Sequence, residues 1–271
     1  MRPSSTPASD RPRSPAAQFA APDRLSDYWR FYRAVAEAQI ARWLPKAPSR
    51  ILDLSSPDYQ GIPRAIAEGH DVVALLPSTD SAVLRPLHPV DGPTAAPRSA
   101  RSGRLHQIVG DPAFLRFLSA EGFDGVIADN RMLSRQLATE ESVAQIARVL
   151  RPGGRVLLCV DSVVLGMALL AEQDCWPELS HAPSADVLLV PWPDGSITRC
   201  FTADQLTDTL TGAGLELEWI KPRTVLSAST VEMMLARDPR SMNRLVEMEL
   251  RATESDDYVG VHLVASARKP S

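Results

Sequence analysis

The chain has 271 residues, a formal net charge of −4 and 44% hydrophobic residues. That length suits one large domain or one domain with decorations, and the apolar content can fill a sizeable core. The mild negative charge and dispersed basic residues exclude the concentrated basic field of a nucleic-acid binder.

The three cysteines, Cys159, Cys175 and Cys200, are widely spaced and form no CxxC or Cys/His cluster. They predict no structural zinc site, only reduced thiols of a cytoplasmic protein. No apolar run approaches ~20 residues, so no transmembrane helix is predicted. Arg2, Arg11 and Arg13 precede no apolar core, so the N-terminus does not read as a secretory signal.

In chain order, residues 1–24 are rich in Pro, Ser, Ala and Arg and predict a disordered tail. The domain then runs over 25–271. A helix over 26–44 places Trp29, Tyr32, Val35, Ala36 and Ile40 near one face and stops at Pro45 and Pro48. A strand over 50–54 follows, then a helix over 62–68 with Pro63 in its first turn and Gly69 at its end. A second strand covers 72–76. The proline-bearing stretch 77–104 reads as a loop insert.

A third strand over 105–109, a short helix over 112–119 and a fourth strand over 123–129 come next. The following helix is predicted to have Thr139 as N-cap and Glu140 and Glu141 in its first turn. Val143, Ile146, Ala147 and Leu150 make its apolar face, and Pro152-Gly153-Gly154 end it. The fifth strand covers 155–160. Residues 162–200 form a lid-like insert: a helix over 162–173, then a hairpin with its turn at Asp194-Gly195. Thr202 and Gln205 form a capping box, Gly214 closes that helix, and a sixth strand covers 216–220. A helical insert over 228–252, broken at Pro239, precedes the last strand over 260–270.

Strands alternating with helices through short turns predict a parallel α/β sheet. The last strand is entered without a helix, which permits it to be antiparallel. Three stretches carry a resemblance: RILDL with GHDVV, FDGVIAD with the helix into LRPGGRVLL, and FTADQLTDTLTGAGLELEWIKPR. Together they resemble the class I S-adenosylmethionine (SAM)-dependent methyltransferases over about residues 25–270. The resemblance implies a Rossmann-like, mostly parallel seven-stranded sheet with helices on both faces and an antiparallel last strand. It also implies SAM as cofactor at the C-terminal ends of the first two strands, where open α/β sheets bind ligands.

The cofactor positions that the resemblance assigns are Asp53, Ser55, Ser56, Asp58, Leu76, Asp111, Asp129 and Asn130. The family's glycine turn becomes Ser55 to Tyr59 here, and glycine lets backbone approach a ligand where a side chain would collide. Pro57 in that turn also removes a backbone donor. The family's ribose-binding acid falls on Leu76, which accepts no hydrogen bond; each unpaired buried polar group costs about 1–3 kcal/mol. Plainer roles compete. Asp53 can organise its loop, and Asp58 and Asp111 can cap the following segments.

On the substrate side the candidates are Tyr28 and Tyr32 on the N-terminal helix, and His181 and Trp192 in the insert. A general base can sit at His181, and Trp192 can line a substrate mouth or plug the sheet edge. No catalytic group is assigned. Three readings stay open: a methyltransferase for a small-molecule acceptor, a non-catalytic descendant that has lost SAM and binds a metabolite or regulates, and a protein that keeps SAM or a different cofactor for chemistry other than methyl transfer. The expected partner is a small molecule, with no nucleic acid and no membrane. The absence of GxGxxG after the first strand disfavours a dinucleotide enzyme.

Overall fold

The computed structural model describes residues 26–55, 61–76, 103–192, 194–252 and 260–271. The predicted tail, most of the 77–104 insert, Ser56 and Asp58 lie outside them. Alternating strands and helices build one mixed sheet: β1 (Arg50–Asp53), β2 (Asp71–Leu76), β3 (Leu105–Val109), β4 (Phe123–Ala128), β5 (Leu150–Ser162), β6 (Leu188–Pro191), β7 (Ile197–Phe201), β8 (Glu216–Arg223) and β9 (His262–Arg268). Parallel pairing joins β3, β2, β1, β4 and β5 in that spatial order. β9 then pairs antiparallel with both β5 and β8.

Those seven strands are the sheet expected from the sequence. The β6–β7 hairpin adds two more, because β7 pairs with Asp161 and Ser162, where β5 outruns β4. A nine-stranded sheet results, with the hairpin standing beside the C-terminal strand ends.

The period-two alternation of the strands sorts their side chains onto two faces. One face carries Leu52, Val126, Val156, Leu158 and Ala265, packed under α3 (Thr139–Val149) and α6 (Ala203–Gly212). The other carries Ile51, Ile127, Leu157, Cys159 and Val264, packed against α1 (Ser26–Trp43) and α2 (Gly61–Ala67). The Trp43 indole donates to Ser266 Oγ at 3.0 Å and so fastens α1 to β9.

Two satellite cores decorate this sandwich. In the first, α4 (Val163–Glu172) packs on the hairpin through Leu165, Leu169 and Val190, and α5 (Trp176–His181) packs against α4. In the second, α7 (Ala228–Arg237) and α8 (Met242–Ala252) pack on α1 around Phe31, Val35, Val231 and Leu245. The Glu249 carboxylate, fully buried, accepts from the amides of Val225 and Leu226 and ties the end of β8 to α8. Among the described residues no helix is long and apolar enough to cross a membrane.

Three local expectations need correction. The stretch 112–119 holds only a single 3-10 turn, Leu115–Phe117. Arg148 explains it: its guanidinium donates to the carbonyls of Leu115 and Leu118, and so draws this segment against α3. Thr139 lies inside α3 and the N-cap is Ala138, whose side chain caps nothing. The Thr139 hydroxyl instead donates back to the carbonyls of Gln136 and Leu133. Finally, α3 ends at Val149, before the Pro-Gly-Gly. Leu150 is already extended and paired with Phe123, and Gly153 relieves an irregular start of β5 at φ +76°. The Thr202/Gln205 capping box and the hairpin form as expected.

Candidate active site

Five ionisable side chains stand at the ends of five neighbouring strands: Asp53 on β1, Asp129 after β4, Asp161 on β5, His262 on β9 and Arg223 on β8. Strand register creates the last part of the row, because Asp161 pairs with His262 and His262 with Arg223. All five are at least nine-tenths buried. Buried charges persist in proteins only when paired or put to use, so this row is the chemical centre of the fold.

Arg223 and Asp129 form a salt bridge of 2.7 Å with both side chains excluded from solvent. Arg223 Nε donates to Gln39 Oε1 at 2.7 Å, and the guanidinium lies 5.5 Å from the Tyr32 ring centre. Burial opposes its charge, but the Asp129 carboxylate outweighs burial and holds the guanidinium pKa well above its ordinary value. Residues of α1 thus cradle a charge delivered by β8.

Asp161 accepts from the Thr198 hydroxyl at 2.5 Å and faces His262 Nε2 at 3.3 Å and Arg131 Nη1 at 3.6 Å. Burial would raise its pKa, yet His262, Arg131 and Thr198 together hold it below the usual carboxylate range. Burial lowers the pKa of His262, so the imidazole is neutral at neutral pH. Asp53 behaves oppositely. Burial, helped by the nearby Asp129 charge and opposed by hydrogen bonds from Ser55, raises its pKa to about 6.

The turn after β4 is strained. Asn130 and Arg131 both adopt left-handed backbone, at φ +59° and +58°. Such conformations cost of order 1–3 kcal/mol each and cluster at functional sites. Here the turn aims Arg131 toward Asp161.

A cavity of about 410 Å³ opens over the Asp161–His262 part of this row. Tyr28, Trp29 and Tyr32 of α1 form one wall, and Trp192 and Thr198 of the hairpin form another. Arg131 and Arg135 enter from the turn after β4, and Asp161 and His262 line the cavity at the strand ends. The volume falls in the range of small-molecule sites.

The structure therefore brings Tyr28, Tyr32 and Trp192 together around one cavity. His181 ends α5, is exposed, and lies within 2.7 Å of the Pro177 carbonyl; it is not among the residues lining the cavity.

On the other side, Asp53 accepts from the Ser55 amide at 2.7 Å, and Ser55 Oγ accepts from the Asp129 amide at 3.1 Å. Asn130 Nδ2 donates to the Ser55 carbonyl at 3.3 Å. The turn after β1 is thereby stitched to the turn after β4. Leu76 closes β2, is 1% exposed, and its backbone carbonyl accepts from the Gly110 amide at 2.8 Å. Asp111 is exposed and accepts from the Ala113 amide, turning the chain after β3.

Sequence reasoning missed Asp161, His262, Arg223 and Arg131. The buried thiols stay inert: burial raises Cys159 to about 12 and drives Cys200 upward as well.

Solved structures share this architecture. A putative S-adenosylmethionine-dependent methyltransferase from Listeria monocytogenes matches with a TM-score of 0.57 at 13% identity, over 88% of this chain and 99% of that one. The 1,6-didemethyltoxoflavin-N1-methyltransferase of Burkholderia thailandensis, crystallised with 1,6-didemethyltoxoflavin and S-adenosylhomocysteine, matches at 0.52 and 20%, over 97% and 94%. The fold is that of the class I methyltransferases. The [4+2]-cyclase SpnF matches at a TM-score of 0.52 and 18% identity, over 87% of this chain and 80% of that one. No protein-family model and no curated protein matches the sequence. At such identities the likeness speaks for architecture, and function must come from the site.

Proposed function

We propose that the protein is a SAM-dependent methyltransferase acting on a small-molecule acceptor. The observation that carries this reading is the position of the cavity. It lies at the ends of β5 and β9 and takes in Arg131 of the turn after β4, and that turn is hydrogen-bonded through Asp129 and Asn130 to the Asp53–Ser55 turn, where the resemblance puts the cofactor. SAM would supply an electrophilic methyl group, and methyl transfer then depends chiefly on holding an acceptor in line. Tyr28, Tyr32 and Trp192 are suited to hold a flat acceptor and exclude water.

The fit to the cofactor is uneven. Asp53, Ser55, Asp129 and Asn130, joined by hydrogen bonds, would form its floor. Leu76 cannot accept from the ribose hydroxyls. Losing those bonds weakens binding by roughly 3 kcal/mol, about a hundredfold. Replacing Leu76 with aspartate is expected to tighten SAM binding about tenfold or more, measured by equilibrium titration against the parent. Unchanged affinity would contradict the place assigned to Leu76.

That same residue favours a second reading, a binding or regulatory module that has discarded SAM. The two part over whether the unaltered chain binds SAM at all.

A further inference from the structure

We propose that the cavity takes an uncharged, planar aromatic molecule bearing an O–H or ring N–H group, which it directs to the Asp161–His262 pair. This rests on the cavity being the acceptor site of the function proposed above, and it names the class of acceptor.

The walls argue for the ring. Trp29 meets Tyr32 edge to face with ring centres 5.6 Å apart, and Tyr32 meets His262 in the same way at 5.5 Å. Trp192 already receives a cation on its face, the Arg131 guanidinium at 5.9 Å. Aromatic walls of this kind bind flat ligands through area and ring-edge contacts.

The charges argue against an ion. Arg131 and Arg135 are matched in number by Asp161 and Asp194 around the cavity. A phosphate or an ammonium ligand would unbalance them, and desolvating it would not be offset.

The strand ends argue for a hydrogen-bond donor. Among the described residues, Asp161 Oδ1 and both ring nitrogens of His262 are buried without a well-aligned hydrogen-bond partner. The 3.3 Å approach of Nε2 to Oδ1 is close but poorly directed. Buried polar groups are almost always satisfied, so unsatisfied ones at a cavity wall mark where a ligand completes the bonding. Acceptor sites at the carboxylate and at a neutral imidazole call for an O–H or N–H. Arg131, 3.6 Å from Asp161 and only part-buried, is the side chain that can yield to admit it.

The test compares β-naphthol with its methyl ether, β-naphthyl methyl ether, by calorimetry and by quenching of the intrinsic tryptophan emission. Neither measurement needs SAM. The wild-type chain is expected to bind the naphthol at least about tenfold more tightly than the ether, because a site built for a hydroxyl rejects the analogue lacking it. His262→Phe keeps a ring against Tyr32 but no nitrogen, and is expected to narrow that ratio at least about threefold, with Asp161 left as the remaining acceptor. Trp192→Ala, at the half-exposed hairpin, is expected to weaken both alike by about fivefold or more.

Equal wild-type affinities, no binding of either compound, or a ratio undiminished in His262→Phe would overturn the proposal. Should His262→Phe not fold, the wild-type ratio and the His262 imidazole resonances on adding naphthol still decide. A chain that takes the naphthol but gives no heat with SAM or S-adenosylhomocysteine would sink the methyltransferase reading and leave this ligand class standing.

Discussion

Arg223→Met is expected to destabilise the protein by about 3–5 kcal/mol, enough to lower the melting temperature by of order 10 °C. Arg223 and Asp129 are both fully buried, and removing the cation leaves a carboxylate with no water to solvate it. The methionine fills similar volume, so lost packing accounts for little of the effect. The pair itself is worth far less than the cost of breaking it, so Arg223→Met combined with Asp129→Asn should recover much of the loss. Urea unfolding of the parent, both single variants and the double variant closes the cycle. A single-variant loss below about 1 kcal/mol would mean the pair is not buried as described.

The second large effect depends on pH. Asp53 has a folded-state pKa of about 6 against an ordinary 3.8. A carboxyl whose pKa is raised by folding destabilises the native state wherever it is ionised in both states. This group's contribution is therefore unfavourable above pH 6 and fades as pH falls toward 4. The shift corresponds to about 3 kcal/mol at most.

Asp53→Asn, which keeps an oxygen for the Ser55 amide, should be about 2–3 kcal/mol more stable than the parent at pH 8. The two should converge near pH 4. His262 acts in the opposite sense, since its lowered pKa gives stability that is complete above 6.5 and lost as pH falls. That term is common to both proteins and cancels in their difference. Parent and variant of equal stability at pH 8 would show that Asp53 is not held in an apolar setting.

Local chemistry was legible in the sequence, and cross-strand chemistry was not. The Thr202/Gln205 box, the Asp194-Gly195 turn and the apolar runs of β4 and β5 are written within a few residues, and each forms. Thr139 misled because its hydroxyl had a second set of partners, the carbonyls around the Leu133 turn, which only folding brings near.

The same holds, with greater consequence, for the site. Asp129 and Asn130 were visible as polar residues ending an apolar strand. Asp161, Arg223 and His262 sit at the ends of three strands from distant parts of the chain, and only the antiparallel placement of β9 lines them up. One signal was available: an ionisable residue at the site end of each of three strands. It acquires meaning once the order β5–β9–β8 is known.

Ser55 is not merely a missing glycine, since its hydroxyl and carbonyl bind the turn after β4 and give the crevice a fixed floor. Leu76 remains the residue least suited to the cofactor.

The central claim is that this crevice still holds SAM. Titration calorimetry of the purified full chain with SAM and with S-adenosylhomocysteine tests it most directly. The account predicts saturable heat with both, and a dissociation constant roughly a hundredfold weaker than an acid at the Leu76 position would allow. No heat from either at millimolar ligand would contradict it.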